Sequence, residues 1–291
     1  MRASRTIIAI TAVVITLFGC GSGKDQRAPA NALSLGLPGL PVLSDSTNWT
    51  LGGVPCTLIP VPAAAPLGTG TCPGVRPGAI VLTDVGQCTL NFLFQGSDGS
   101  RYIGTAGHCI LGTSPIGGDV GEMAWAPGTG PVARDADGNP IGEFAYAILQ
   151  DPKDFSLIRL DPLVEANPAM CHFGGPTAVN DDRPGLTELV VLNWFGNGIL
   201  VGTLLPARSA LAAGMPDPDH VFADGAAAPG DSGSGIISSD GRAVGVVVTV
   251  GVHIGTSFDS GVIGITRLTP QVERAQQVLG VDLALQTAQT L

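Results

Sequence analysis

Three segments of this chain carry residue types that together can cleave an acyl bond. Thr105-Ala106-Gly107-His108-Cys109 offers an imidazole, Asp154-Phe155-Ser156-Leu157-Ile158-Arg159-Leu160 a carboxylate, and Gly230-Asp231-Ser232-Gly233-Ser234-Gly235 a hydroxyl set among glycines. A serine hydroxyl is a weak nucleophile until a neighbouring base takes its proton, and an imidazole does this best when a carboxylate fixes its tautomer. The pattern therefore assigns Ser232 as nucleophile, His108 as general base and Asp154 as the orienting carboxylate. Glycines beside the serine keep side chains out of the approach path, and a positive φ there lets backbone N–H groups converge on an oxyanion. The expected donors are the N–H groups of Gly230 and Ser232.

These groups lie far apart in sequence, so long-range strand pairing must bring them together. From about Gly78 onward, short apolar runs alternate with turn signals, the pattern of an all-β sandwich or barrel. Leu90, Phe92 and Phe94 share one strand face, Gly96-Ser97-Asp98-Gly99 supplies a turn, and Tyr102 to Ala106 returns directly into His108. Further strands are expected at Ile141–Leu149, Phe155–Leu160, Leu189–Trp194, Ile199–Leu205, Gly235–Ser238, Ala243–Val250 and Val262–Leu268. Thr269-Pro270 opens a helix through Val278, with Thr269 as cap and Gly280 as stop.

The residues also resemble a known family, the trypsin-like serine endopeptidases, and within it the bacterial streptogrisin-like branch. TAGHC resembles the family's histidine motif, DFSLIRL its aspartate strand and GDSGSG its serine motif. The resemblance covers about Gly78 to Gly280 and implies a double six-stranded β-barrel, chymotrypsin-like, with a C-terminal helix. The barrels would occupy about 78–170 and 185–268 of a protease domain spanning 78–291. It implies a Cys88–Cys109 bridge, worth about 3 kcal/mol by chain entropy. It also implies that Asp231 is buried and needs a cation, such as Arg183 or Arg208. The substrate pocket would be formed by Ala226, Thr249, Gly251 and Gly261. With Ala226 at its floor, no acid is present to attract Arg or Lys, and apolar residues are expected at the cleavage site.

The N-terminus reads as a signal peptide over 1–19: two arginines by Arg5, then the apolar run Ile7–Phe18, shorter than the ~20 residues of a spanning helix. Leu17-Phe18-Gly19-Cys20 resembles a bacterial lipobox, which implies lipidation of Cys20 and a lipid bilayer as partner. The expected location is the bacterial cell envelope, facing the periplasm or the exterior. Residues 20–77, rich in Pro and Gly, read as a tether, strapped if Cys56 and Cys72 pair. Export also predicts disulfides among Cys56, Cys72, Cys88, Cys109 and Cys171, an odd set whose pairing the residues alone leave open.

Composition narrows the function further. With 42 Gly, 23 Pro, 13% charged residues and a net charge of −10, the chain is turn-rich and acidic, and its scattered arginines exclude the basic patch that nucleic acid requires. The expected partner is a protein or peptide substrate, the expected state a monomer, and neither cofactor nor metal is called for. Zinc lacks a CxxC pair. Asp135-Ala136-Asp137-Gly138-Asn139 imitates a calcium loop, yet Pro140 and Tyr146 stand where Gly and Glu are needed. An α/β-hydrolase would need GxSxG with the histidine last. The rival from another class is a latent or binding-only barrel on the same fold, whose usual mark is a missing triad residue; here all three are present.

Overall fold

The computed structural model describes residues 72–112, 120–181, 190–199, 201–214, 218–251 and 262–290, together with three short N-terminal strands. Those strands, β1 (Gly19–Cys20), β2 (Trp49–Leu51) and β3 (Val54–Thr57), form a small antiparallel sheet within a unit of residues 1–60, separate from residues 61–291. Residues 1–18 of the signal-peptide reading lie outside the described residues.

The larger unit is all-β with a C-terminal helix, as expected. Its first half contains β4 (Ile80–Leu82), β5 (Gln87–Thr89), β6 (Leu93–Gly96), β7 (Arg101–Thr105), the short α1 (His108–Leu111), β8 (Gly121–Ala124), β9 (Val132–Arg134), β10 (Pro140–Gln150) and β11 (Lys153–Leu160). Its second half contains β12 (Val191–Phe195), the short α2 (Val201–Leu204), β13 (Ala207–Gly214), β14 (His220–Asp224), β15 (Gly235–Ser238), β16 (Ala243–Gly251) and β17 (Val262–Arg267). Helix α3 (Leu268–Leu279) and β18 (Leu283–Leu285) end the chain. The second half closes into a six-stranded barrel, β12-β13-β14-β17-β16-β15. The first half is a half-barrel, ordered β18-β6-β7-β11-β10-β9-β4-β5 with β8 on β10. The C-terminal β18 covers the edge of β6 that would otherwise be left unpaired.

Strand β16 shows why the two halves form one body. Ala243, Val246 and Val248 pack into the core of the first half, while Val244 and Val247 pack into the barrel core with Trp194, Ile236 and Ile263. Successive side chains of a strand face opposite ways, so a stretch buried on both faces must lack polar side chains, as Ala243 to Val248 does.

Two expectations need correction. Ile199–Leu205 is not a strand: Ile199 lies in a turn, α2 follows, and the strand is β13. Gly202 N–H donates to the Gly198 carbonyl at 2.7 Å, closing a helical turn immediately after Gly198, which is itself held to Asp231. Helix α3 begins at Leu268, with Arg267 in the capping position and no side-chain cap. The Thr269 hydroxyl bonds Asp181 instead. At the other end Gly280 takes the left-handed conformation, φ +65°, as the stop signal required.

The helix is pinned to the half-barrel by Glu122 of β8, which accepts from Arg274 Nε at 2.9 Å, Arg274 Nη2 at 2.6 Å and Tyr146 Oη at 2.8 Å. The Arg274 guanidinium, aided by the Tyr146 hydroxyl and opposed by burial, holds the Glu122 carboxyl below its ordinary value of 4.5. A depressed folded value means that this stabilisation is present above that pH and lost as acid protonates the folded carboxylate. The melting temperature of the wild type should therefore exceed that of Glu122→Gln at about pH 6, and the gap should narrow as acidification below the ordinary carboxylate range protonates the folded Glu122. A constant gap would contradict the assignment.

Candidate active site

Strand register places the histidine beside the aspartate. Thr105 of β7 pairs with Ser156 of β11, so the chain running on toward His108 meets β11 running back toward Asp154. The Ser156 hydroxyl ties the Ala106 carbonyl at 2.9 Å and keeps the segment in this register. Gly107 is then pressed so close to β10 that a Cβ there would lie 1.9 Å from the Ile148 carbonyl. His108 Nδ1 sits 2.7 Å from Asp154 Oδ2, and the His108 backbone N–H donates to Oδ1 at 2.9 Å. Asp154 thus grips its histidine by both ring and backbone. With Asp154 ionised, Nδ1 carries the ring proton and Nε2 is left as the base. Side-chain exposures of 16% for His108 and 12% for Asp154 keep the pair largely out of water while leaving the ring reachable.

The serine loop is shaped from below. Gly230 and Gly233 have φ of +102° and +90°, values that side-chain-bearing residues adopt only under strain. The N–H groups of Asp231, Gly233 and Ser234 are spent on the carbonyls of Ala228, Val247 and Asp231. Those of Gly230 and Ser232, the expected oxyanion donors, have no acceptor among the described residues. Ser232 is half-buried. Its hydroxyl makes no hydrogen bond to His108 among the described residues, a looseness common in unliganded sites. Loop and histidine segment are nonetheless in contact: a Cβ on Gly233 would lie 2.1 Å from Thr105 Oγ1 and 2.3 Å from the Thr89 carbonyl.

Asp231 is fully buried, and its cation is Arg208. The guanidinium engages both carboxylate oxygens, with Nη1 2.6 Å from Oδ2 and Nη2 on Oδ1, and the backbone N–H groups of Gly198 and Ala228 complete the set at 2.7 and 2.8 Å. Arg208 stacks 5.3 Å above the Trp194 ring and also donates to the Ala226 carbonyl at 3.0 Å. The alternative cation, Arg183, lies outside the described residues.

Of the expected pocket residues, Ala226 is exposed beside this loop. Thr249 and Gly251 fall in β16, paired with Gly264 and Val262 of β17. Gly261 lies outside the described residues. The Cys88–Cys109 bridge forms next to the histidine. Cys72 pairs with Cys171 instead of Cys56, because Val75 bridges to Ala166 and brings the two Cα atoms to 5.6 Å. Both cysteines beside His108, and both beside His172, are therefore committed to disulfides. The Asp135 loop is a turn, its carboxylate capping the N–H groups of Asp137 and Asn139 at 3.0 and 2.8 Å. Sequence reasoning missed Thr89 and Asn197, which join the two halves beneath the serine loop. No residue type or spacing marks either of them out.

No family model matches the chain, and no curated protein matches it. Among solved structures it is similar to Thermobifida fusca protease A, at 14% identity over 73% of this chain and 99% of that one, with a TM-score of 0.48. It is similar to a Nocardiopsis protease, at 15% identity over 72% and 98%, TM-score 0.47. A glutamic-acid-specific serine protease compares at 16% identity over 72% and 100%, also with a TM-score of 0.47. At such identities and scores the functional reading rests on the geometry of the site itself.

Proposed function

We propose that this protein is an exported serine endopeptidase, anchored to a membrane through Cys20, with His108, Asp154 and Ser232 as its catalytic residues. The observation that carries the reading is the 2.7 Å contact between His108 Nδ1 and Asp154 Oδ2, made beside a serine loop whose Gly230 and Ser232 N–H groups have no acceptor among the described residues. Ser232 Oγ attacks the peptide carbonyl while His108 Nε2 takes its proton. Asp154 stabilises the resulting imidazolium. The oxyanion is met by the N–H groups of Gly230 and Ser232. Collapse expels the amine, which receives the proton from His108, and leaves Ser232 acylated. Water, deprotonated by the same imidazole, then releases the acid and restores the hydroxyl. Asp231 and Arg208 take no part in proton transfer; they hold the loop.

The test is to export the full chain and compare it with Ser232→Ala for fluorophosphonate labelling and hydrolysis of casein and short peptides. Labelling and hydrolysis confined to the wild type support the proposal, with peptides bearing Leu or Phe before the scissile bond cut faster than those bearing Arg. Folded wild-type protein that neither labels nor hydrolyses would overturn it in favour of a latent or binding-only barrel.

A further inference from the structure

The proposed machinery is divided between the two halves: His108 and Asp154 come from the half-barrel, and Ser232 with its donor groups comes from the barrel. Catalysis of this type tolerates little error in that relation, because displacements near 1 Å cost orders of magnitude in rate. Something must therefore fix one half against the other at the site.

One residue is bonded to both segments. Thr89, fully buried at the end of β5, accepts on its carbonyl from Thr105 Oγ1 at 2.9 Å, in the segment that leads into His108. Its backbone N–H donates to the Ser232 carbonyl at 2.9 Å. Its hydroxyl donates to the Gly230 carbonyl at 2.8 Å. The same oxygen accepts from Asn197 N–H at 3.3 Å and Nδ2 at 3.2 Å, and Asn197 Nδ2 also reaches the Gly78 carbonyl at 2.8 Å. The residue after Asn197 donates its N–H to Asp231. The neighbour of Thr89 on the other side, Cys88, is bridged to Cys109, which follows the histidine.

The consequence falls on Gly230. Its carbonyl belongs to the peptide plane between the two expected oxyanion donors, where φ at +102° and the lack of a side chain leave the Asp231 N–H bond to the Ala228 carbonyl as the other restraint on rotation. A buried hydroxyl bonded at both its donor and acceptor sites resists that rotation.

We propose that the Thr89 hydroxyl is a positioning group for the oxyanion loop. It holds the Gly230 peptide, and thereby both donor N–H groups, in register with His108. The inference rests on the peptidase reading for its effect on rate but not for its effect on the loop. Two variants separate hydroxyl from shape. Thr89→Val keeps the β-branched volume and the backbone bond to Ser232 but removes the hydroxyl; Thr89→Ser keeps the hydroxyl. Amide hydrogen exchange over residues 228–234, which requires no activity, should quicken in Thr89→Val and stay at the wild-type rate in Thr89→Ser. In the same proteins kcat on a peptide substrate should fall about tenfold or more in Thr89→Val with KM within about threefold, and Thr89→Ser should restore it. Unchanged exchange in Thr89→Val, or equal losses in both variants, would overturn the proposal. So would faster exchange with undiminished kcat. If the wild type exchanges slowly here yet neither labels nor hydrolyses, the peptidase reading fails, and the exchange comparison alone decides whether Thr89 holds the loop.

Discussion

Arg208→Met should destabilise the fold and silence the site together. Asp231 has no exposure, and its two oxygens accept from the Arg208 guanidinium and from the Gly198 and Ala228 N–H groups. Methionine fills much of the same volume above Trp194 but leaves the carboxylate charge buried with only two backbone donors. Breaking a buried pair from one side costs about 3–5 kcal/mol. That is a large part of the ~5–15 kcal/mol that holds an ordinary domain folded. A fall in melting temperature of roughly 10 °C is expected for a domain of this size. The Ser232 loop, built over Asp231, should lose fluorophosphonate reactivity even at temperatures where the variant remains folded. Asp231→Asn combined with Arg208→Met removes the unpaired charge and should regain part of the stability without regaining reactivity. A single variant that melts within about 2 °C of wild type would show that the pair does not hold the loop.

Asp154→Asn tests the other half of the site, and here the fold should survive. Asparagine can still accept the His108 backbone N–H on its Oδ1, so the segment stays where it is. The atom facing Nδ1 becomes a donor, which favours the tautomer whose proton sits on Nε2, where the serine proton must arrive. Loss of the orienting carboxylate in such a triad costs about 10⁴ in kcat. With melting temperature and KM near those of wild type, a loss of that order places Asp154 in the role assigned to it. A loss below about tenfold would show that the 2.7 Å contact is structural and that the histidine does not depend on it for its tautomer.

Much of this architecture could be read before any coordinates. Val244 to Val248 is continuously apolar because β16 is buried on both faces, and that burial leaves a mark in the sequence whatever the strand packs against. Gly280 stops α3 and Gly230 turns before the serine because their backbone conformations favour glycine. Segment Ile199–Leu205 misled for the opposite reason. Its apolar content suits a buried strand, yet Ile199, Leu204 and Leu205 are exposed and the chain turns there. Hydrogen bonds from Gly198 and Asn197 to partners more than thirty residues away settle its course, and no local propensity records them.

Residue types and spacing set out the chemistry on offer: one imidazole, one carboxylate and one glycine-flanked hydroxyl, each in a segment whose local pattern dictates a strand or a tight turn. It took the folded chain to select Arg208 over another arginine as the partner of Asp231, to bring Cys72 to Cys171, and to set Thr89 against both halves of the site. The difference is one of range. Backbone conformation and burial act within a few residues and impose residue types that can be recognised. Pairing across the fold requires only that two compatible groups arrive at the same place, which many residues could satisfy and strand register alone selects.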